Sequence, residues 1–331
     1  MERRRFLASS FLLSLGPSSS WSAPPSRLIP RALSKGDTVG LVTPASAISR
    51  SAFEKTLDNI EQLGFRVKFS DNLRVRRGFL SGTDKQRVED LHQMYQDPQV
   101  QGIICARGGY GSARLLPLLN YDLIRNHAKP LIGYSDITAL HQAIYQKAGV
   151  VGYHGPVGAS DYNDFTVDHF QDILLKGKRL KISTEDPKVI RSGQAEGILA
   201  GGNLSLLSSL VGTPYEMSYR GHLLFIEEIG ESVYRIDRML TQLKQSGVLD
   251  GVNGILLGYF TNCDEEPSDP GFEVSVGLME VFEEQFGDLG VPILAGMPFG
   301  HESHNVTLPV GISAALDTSK KGIKLLEGPT S

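Results

Sequence analysis

Four short apolar runs in the first half of the chain predict β-strands, at residues 37–46, 65–70, 100–109 and 129–135. Apolar residues at helical spacing fill the intervals and predict helices over 51–64, 84–98, 112–127 and 136–149. This alternation of strand and helix predicts an α/β fold, a mostly parallel sheet covered on both faces. Ligands of such sheets bind beyond the carboxyl ends of the strands.

The regular alternation of strand and helix patterns ends after about residue 160. Short strands, turns and one helix fill the chain to residue 216, and a strand then leads into a second helix over 222–247. An acidic, proline-containing loop over 261–270 precedes a third helix over 273–288, and the remainder predicts strands with Gly/Pro turns. We therefore predict an N-terminal domain over 34–170 and a β-rich C-terminal domain over 190–328.

Composition excludes several classes of protein. The 331 residues are 40% hydrophobic and 21% charged, with a net charge of −4 and no Lys/Arg stripe beyond the first few positions, which argues against a nucleic-acid partner. Cys105 and Cys263 lie in apolar surroundings without metal-ligand spacing, which favours a buried thiol, for Cys105 above all. No metal and no cofactor are expected.

The N-terminus has the anatomy of a signal peptide over residues 1–23. A basic cluster precedes a short apolar stretch and then small, polar residues up to Pro24, and the apolar stretch is too short to span a membrane. Arg3 and Arg4 followed by Phe6 resemble a twin-arginine export signal. We predict a periplasmic or exported protein without a stable membrane anchor; the alternative is a disordered basic tail on a cytoplasmic protein.

A glycine-rich turn, CARGGYGSARLL, follows the third predicted strand and precedes a helix. Its glycines at 108, 109 and 111 lack the G-x-G-x-x-G spacing of a dinucleotide loop. The pattern favours a tight turn that brings backbone N–H groups toward a ligand, because glycine removes the side chain that would block close approach. A plain helix-start turn is the alternative.

Ser135 lies at a sharp corner between the strand LIG and the helix DITALHQAIYQ. This strand, turn and helix are the context of a nucleophile elbow, although the G-x-S-x-G form is not met because residue 137 is Ile. The alternative is an ordinary N-cap serine, which the local pattern alone favours.

A nucleophilic serine needs a base and a carboxylate that orients it. His154 and His301 follow apolar runs in Gly/Pro turns, where functional loops concentrate, whereas His141 lies within the predicted helix. His127 and His169 lie in polar stretches that predict exposure. Glu227 and Glu228 end the apolar run LLFI, an expensive position for an unpaired charge.

Several long motifs resemble the murein tetrapeptide LD-carboxypeptidases, whose relatives include the microcin C immunity peptidases. They are GTDKQRVEDL, CARGGYGSARLLPLLNYD, KPLIGYSDITAL, HGPV, GGNLSLLSSLVGTPYE, FIEEIGESVYRIDRMLTQL and PFGHESHNVTLPVG, in the family's order across residues 34–326. The resemblance implies a flavodoxin-like N-terminal domain, similar to class I glutamine amidotransferases, joined to a β-rich swivelling C-terminal domain.

The resemblance also implies a Ser-His-Glu triad. Ser135 matches the nucleophile, Glu227 the orienting carboxylate and His301 the general base. The family usually has Glu-Asp where this chain has Glu227 and Glu228, and His304 is the second candidate for the base. Backbone N–H groups of Asp136 and of the Gly108 and Gly109 turn are the expected oxyanion donors.

The implied activity is release of the terminal D-alanine from murein tetrapeptides through an acyl-enzyme, by a protein that resemblance predicts to be a homodimer. Arg107, backbone amides or another polar group would bind the substrate carboxylate. Arg235 and Arg238 on a following helix, and Asn203 as an N-cap, fit structural roles at least as well. The alternatives are a peptidase of peptide-nucleotide antibiotics and a non-catalytic exported muropeptide-binding protein.

Overall fold

The computed structural model describes residues 25–263 and 276–331. The predicted signal peptide, residues 1–23, and most of the predicted acidic loop lie outside these ranges. No helix within the described ranges combines the length and the apolar character needed to cross a membrane.

Strands and helices follow one another along the described chain. The strands are β1 (Thr38–Val42), β2 (Arg66–Phe69), β3 (Gly102–Cys105), β4 (Leu131–Gly133), β5 (Gly152–His154), β6 (Lys181–Ser183), β7 (Lys188–Arg191), β8 (Gln194–Asn203), β9 (His222–Ile229), β10 (Gly254–Thr261), β11 (Ile293–Ala295), β12 (Leu308–Val310), β13 (Ser313–Asp317) and β14 (Gly322–Leu325). The α-helices are α1 (Arg50–Gln62), α2 (Asp84–Gln96), α3 (Tyr121–Asn126), α4 (Thr138–Ala148), α5 (Asp164–Leu174), α6 (Leu204–Ser209), α7 (Val233–Gln245) and α8 (Leu278–Phe286).

Local sequence accounts for α2 in detail. The Thr83 hydroxyl accepts from the Gln86 N–H at 3.2 Å, and the Gln86 side chain accepts from the Thr83 N–H at 2.9 Å, which forms a capping box. Val88, Leu91 and Met94 are buried along one face, as their spacing predicts. The helix therefore begins and packs as the sequence indicates.

One predicted helix is wrong. The segment 112–127 divides into a 3-10 helix, Ser112–Leu118, and the short α3. Pro117 lies inside the 3-10 helix and has no N–H for an α-helical hydrogen bond. Asn120 then caps the start of α3, because its side-chain oxygen accepts from the Leu123 N–H at 2.9 Å.

Within the described chain, six strands form the first sheet, in the order β12-β5-β4-β3-β1-β2. β1 to β5 are parallel in the flavodoxin-like order, and β12 pairs antiparallel with β5. This confirms the predicted α/β class with a parallel N-terminal sheet. The carboxyl ends of β1, β3 and β4 meet at one edge, where ligands of such sheets bind.

Eight described strands form the second sheet, in the order β6-β14-β13-β8-β9-β10-β11-β7. β8 to β11 are parallel and the outer strands are antiparallel. β6 precedes residue 190 and β7 spans it, and both belong to the second sheet, whereas β12 lies far beyond residue 190 and joins the first sheet. The chain therefore returns from the second sheet to the first through residues 296–307.

Candidate active site

Ser135 has a backbone conformation that a side chain rarely adopts. It follows β4 with φ of 63°, in the left-handed region, and begins a 3-10 helix, Ser135–Ile137, that leads into α4. Tyr134 and Ile137 occupy the cap positions of these two helices, so Ser135 caps neither. The N-cap alternative is therefore excluded, and the strained corner has the form of a nucleophile elbow.

The glycine-rich turn lies against this corner. A Cβ atom at Gly108 would lie 3.1 Å from Ser135 Cβ and 3.3 Å from its Oγ, so a side chain there would press on the serine. The buried Asp136 carboxylate accepts from the N–H groups of Gly111 at 3.2 Å and Ser112 at 2.7 Å. Asp136 therefore holds the turn beside the serine through its side chain.

Glu227 and His301 form a hydrogen-bonded pair. The Nδ1 atom of His301 lies 2.7 Å from Glu227 Oε2, and the carboxylate is fully buried at the end of β9. Burial raises the pKa of Glu227, and the bond to His301 opposes that rise. An ionised carboxylate only accepts hydrogen bonds, so with Glu227 ionised and the imidazole neutral this bond assigns the proton to Nδ1 and makes Nε2 the acceptor.

The turn before His301 fits closely around this pair. Gly300 has φ of 122°, and a Cβ atom there would lie 3.2 Å from Glu227 Oε2. Glycine therefore supplies both the backbone conformation and the space that the Glu227 carboxylate needs.

The neighbouring Glu228 has a different set of partners. Its carboxylate accepts from the Asn203 amide at 2.8 Å, from the Ser205 N–H at 2.8 Å and from the Ile229 N–H at 2.8 Å. Asn203 is also the N-cap of α6. Glu228 therefore holds the start of α6, and the structure separates the two acidic neighbours, whose side chains alternate along β9.

Ser135 and His301 line one cavity of about 420 Å³ at the carboxyl edge of the first sheet. Its other lining residues are Ala52, Arg107, Gly108, Gly109, Tyr134, Val157, Ala159, Ser160 and Ile229. The Arg107 guanidinium is anchored by a 3.1 Å bond to the Ala47 carbonyl. The Tyr134 ring packs against His301 at 4.7 Å between centroids.

The other candidate histidines lie elsewhere. His154 is fully buried at the end of β5 beside Phe225, and His304 stacks on Phe165 at 4.6 Å. His141 is buried and its Nε2 lies 2.8 Å from the Gly133 carbonyl, and burial lowers its pKa to about 4. Of the six histidines considered from the sequence, His301 alone lines the cavity that contains Ser135.

Two arginines considered for substrate binding are engaged outside the cavity. Arg235 Nη1 lies 3.4 Å from Glu231, and Arg238 lies over the Tyr234 ring. Sequence reasoning missed Tyr134 and Ile229 as cavity residues. The available signal was position: Tyr134 directly precedes Ser135, and Ile229 directly follows the acidic pair at the end of β9.

No group of three or more His, Cys, Asp or Glu side chains is arranged to hold a metal ion in the portions 25–263 and 276–331.

Comparison with known proteins places both halves of the chain in one family. Residues 39–155 match the LD-carboxypeptidase N-terminal domain model, and residues 196–316 match the LD-carboxypeptidase C-terminal domain model. A probable murein peptide carboxypeptidase of Bacillus subtilis (strain 168) is 41% identical over 88% of this chain and 92% of its own. A murein tetrapeptide carboxypeptidase of Pseudomonas aeruginosa is 34% identical over 85% and 94%.

Relatives named for a different role, self-immunity to microcin C7, also match most of the chain. The microcin C7 self-immunity protein of Escherichia coli is 29% identical over 91% of this chain and 96% of its own. The crystal structure of an MccF-like protein from Bacillus anthracis str. Ames superimposes with a TM-score of 0.80, at 30% identity, over 91% of this chain and 99% of that one. This chain therefore shares its two-domain α/β fold with the MccF-like protein.

Proposed function

The chain belongs to the LD-carboxypeptidase family, and we propose that it is a serine carboxypeptidase that releases the terminal D-alanine from murein tetrapeptides. One arrangement carries this proposal: a serine at a strained elbow shares a cavity with a histidine whose other nitrogen is bonded to a buried glutamate. Nucleophile, base and orienting carboxylate are the three parts of a hydrolytic triad.

In the proposed reaction, His301 removes the proton of Ser135 and Oγ attacks the carbonyl carbon of the L,D peptide bond. The tetrahedral intermediate collapses, the C–N bond breaks, and His301 returns the proton to the amine of departing D-alanine. Water then hydrolyses the acyl ester by the same relay. Glu227 holds the Nδ1 proton and stabilises the imidazolium that forms in each half of the cycle.

The oxyanion that forms in each step needs N–H donors close to Ser135. We assign this role to the backbone of the Gly108 and Gly109 turn and of Asp136, because both glycines line the cavity and Asp136 follows the nucleophile directly. The Asp136 side chain supports the same arrangement by its bonds to Gly111 and Ser112. Loss of one such donor typically costs about 3 kcal/mol in the barrier.

An exopeptidase must also recognise the free carboxylate of its substrate. Arg107 is the cationic side chain among the residues that line the cavity, and the bond to Ala47 leaves the rest of its guanidinium fork available. The described salt bridges do not include Arg107. We therefore assign Arg107 to the terminal carboxylate of D-alanine.

The test is mass spectrometry of defined tri-, tetra- and pentapeptides after incubation with the purified protein. We expect loss of D-alanine from the tetrapeptide only, and no release by a folded Ser135→Ala variant. Release by that variant at the wild-type rate would rule out the serine mechanism, and an inert wild-type protein that still binds the tetrapeptide would favour a non-catalytic binding protein.

A second candidate substrate follows from the self-immunity relative, a peptide-nucleotide antibiotic. The same incubation should therefore include an aminoacyl sulfamoyl nucleoside. We expect cleavage of the tetrapeptide to be faster, because the B. subtilis and P. aeruginosa relatives named for murein peptides share more identical residues with this chain.

Export through a twin-arginine signal is part of the proposal, and the pattern of Arg3, Arg4 and the following apolar stretch supports it. The substrate would then be periplasmic murein or its fragments. Fractionation of cells that carry the wild-type protein or an Arg3→Lys, Arg4→Lys variant tests it, and retention of only the variant in the cytoplasm is the expected result.

A further inference from the structure

The loop that carries His301 is fastened to the domain that carries Ser135. Residues 300–305 lie between β11 of the second sheet and β12 of the first. Beside them lies α5, which packs on the first domain: Phe170 contacts Phe65 at 6.3 Å between ring centroids. The histidine loop therefore contacts a helix that is fixed relative to the nucleophile.

Thr166, on the first turn of α5, makes the central contact. Its hydroxyl donates to the Ser303 carbonyl at 3.0 Å and accepts from the Asn305 N–H at 3.2 Å. The Asn163 amide donates to the same Ser303 carbonyl at 2.7 Å. Thr166 is fully buried and Asn305 is 2% exposed, so water does not replace these bonds readily.

The contact continues to the residue next to His301. The Asn305 side chain accepts from the Gly300 N–H at 3.3 Å, which closes the loop on itself. Phe165 adds a stacked contact with His304 at 4.6 Å. The turn around His301 is thus linked at both ends to the first turn of α5: Gly300 bonds to the Asn305 side chain, and the Asn305 N–H bonds to Thr166.

We infer that Thr166 is a positioning residue, which aligns His301 with Ser135 across the domain boundary through its bonds to Ser303 and Asn305. Glu227 lies on the second sheet and orients the His301 ring, but it does not connect the ring to the first domain. That connection comes from α5, which shares a domain with Ser135. The inference rests on the proposed serine mechanism.

Removal of the hydroxyl should therefore affect the chemical step more than substrate binding. Thr166→Val keeps the shape of the side chain and loses both hydrogen bonds. We expect kcat to fall by about ten- to a hundredfold with KM within twofold, because small misplacements of a catalytic group carry costs of this size. Labelling of Ser135 by a fluorophosphonate should slow by a similar factor, and Thr166→Ser should restore both rates.

Thr318 offers a matched control at the far side of the second domain. Its buried hydroxyl also donates to a backbone carbonyl and accepts from a backbone N–H, both of Gly193. Thr318→Val should lose stability to a similar extent as Thr166→Val and keep kcat. Asn163→Asp retains the N-cap acceptor of α5 and removes the amide donor to Ser303, so it should lower kcat severalfold even if Thr166→Val does not fold.

The outcomes separate this inference from the proposed function. Equal kcat per folded molecule in Thr166→Val and Thr318→Val, or an unchanged kcat in Asn163→Asp, would overturn the positioning role of α5. A wild-type protein that neither cleaves the tetrapeptide nor reacts with the fluorophosphonate would instead overturn the serine mechanism itself. Lower kcat with rescue by Thr166→Ser supports the positioning role.

Discussion

Glu227 Oε2 and His301 Nδ1 lie 2.7 Å apart, although 74 positions separate the two residues in the chain. The glutamate is fully buried and the histidine side chain is 13% exposed, at the wall of the cavity that Ser135 shares. This bond distinguishes Glu227 from its neighbour Glu228 as the orienting acid, and His301 from the other histidines as the base candidate. It is the relationship on which the proposed chemistry depends.

Glu227→Gln should remove most of the activity while the protein remains folded. The amide keeps the size of the carboxylate but no longer stabilises the imidazolium, and we expect kcat to fall by on the order of 10³- to 10⁴-fold. Steady-state kinetics on the tetrapeptide measures this. Glu228→Gln is the matched control: it should lower the melting temperature through α6 and change kcat by far less, and equal losses in both variants would contradict the assignment.

Ser135→Gly should abolish activity and increase stability. Glycine adopts the left-handed φ of 63° without the penalty that a serine side chain carries, so we expect a gain of about 1 kcal/mol in the free energy of unfolding. Chemical denaturation measures it. Lys321, at φ of 56° and exposed far from the site, provides the control, since Lys321→Gly should gain stability and keep full activity.

Arg107→Gln should raise KM for the tetrapeptide by roughly ten- to a hundredfold, the range of a hydrogen bond to a charged group. Amidation of the substrate's terminal carboxylate should cost the wild-type protein a similar factor and cost the variant little. Arg114→Gln serves as control, because Arg114 is exposed and paired with Asp84. If amidation penalises both proteins equally, another group binds the carboxylate.

Acid should destabilise the fold through His141. Burial lowers its pKa to about 4 from the usual 6.5, so the unfolded state binds the proton first as the pH falls. The stability is fully present above pH 6.5 and decreases between pH 6.5 and about 4, by up to about 3 kcal/mol. Burial lowers the pKa of His154 as well, which acts in the same direction.

The measurement compares urea unfolding of the wild-type protein and His141→Gln at pH 7 and pH 4.5. The variant cannot take up this proton, so its free energy of unfolding should depend less on pH even where it is lower at pH 7. An identical pH dependence in both proteins would contradict the role of His141.

Local pattern predicted much of the fold correctly, because helices and strands bury one face with a fixed period. In α2, Val88, Leu91 and Met94 recur at helical spacing and are buried on one face, and Thr83 caps the helix start. The pattern failed over 112–127, where apolar residues recur at helical spacing but Pro117 removes a backbone donor. The spacing of apolar residues does not register the backbone hydrogen bond that Pro117 cannot form.

Ser135 illustrates the limit at the site. Its neighbours in the chain favoured an N-cap, and family resemblance favoured a nucleophile. The caps of the two helices fall on Tyr134 and Ile137, which excludes the N-cap role for Ser135. Its packing against Gly108 depends on the turn after β3, which β-sheet pairing brings next to β4. No local window of the sequence contains that contact.

Residue order alone determined the alternation of strands and helices that is typical of a parallel sheet, the strand-turn-helix context of Ser135 and the acidic end of β9, since each is a pattern among residues that are close in the chain. Tertiary structure decided which acid, which histidine and which helix act together. Those choices arise where β9, the loop after β11 and α5 meet, and their contacts span 74 to 140 positions. Such pairs form only when burial of both sheets brings distant segments within hydrogen-bonding distance.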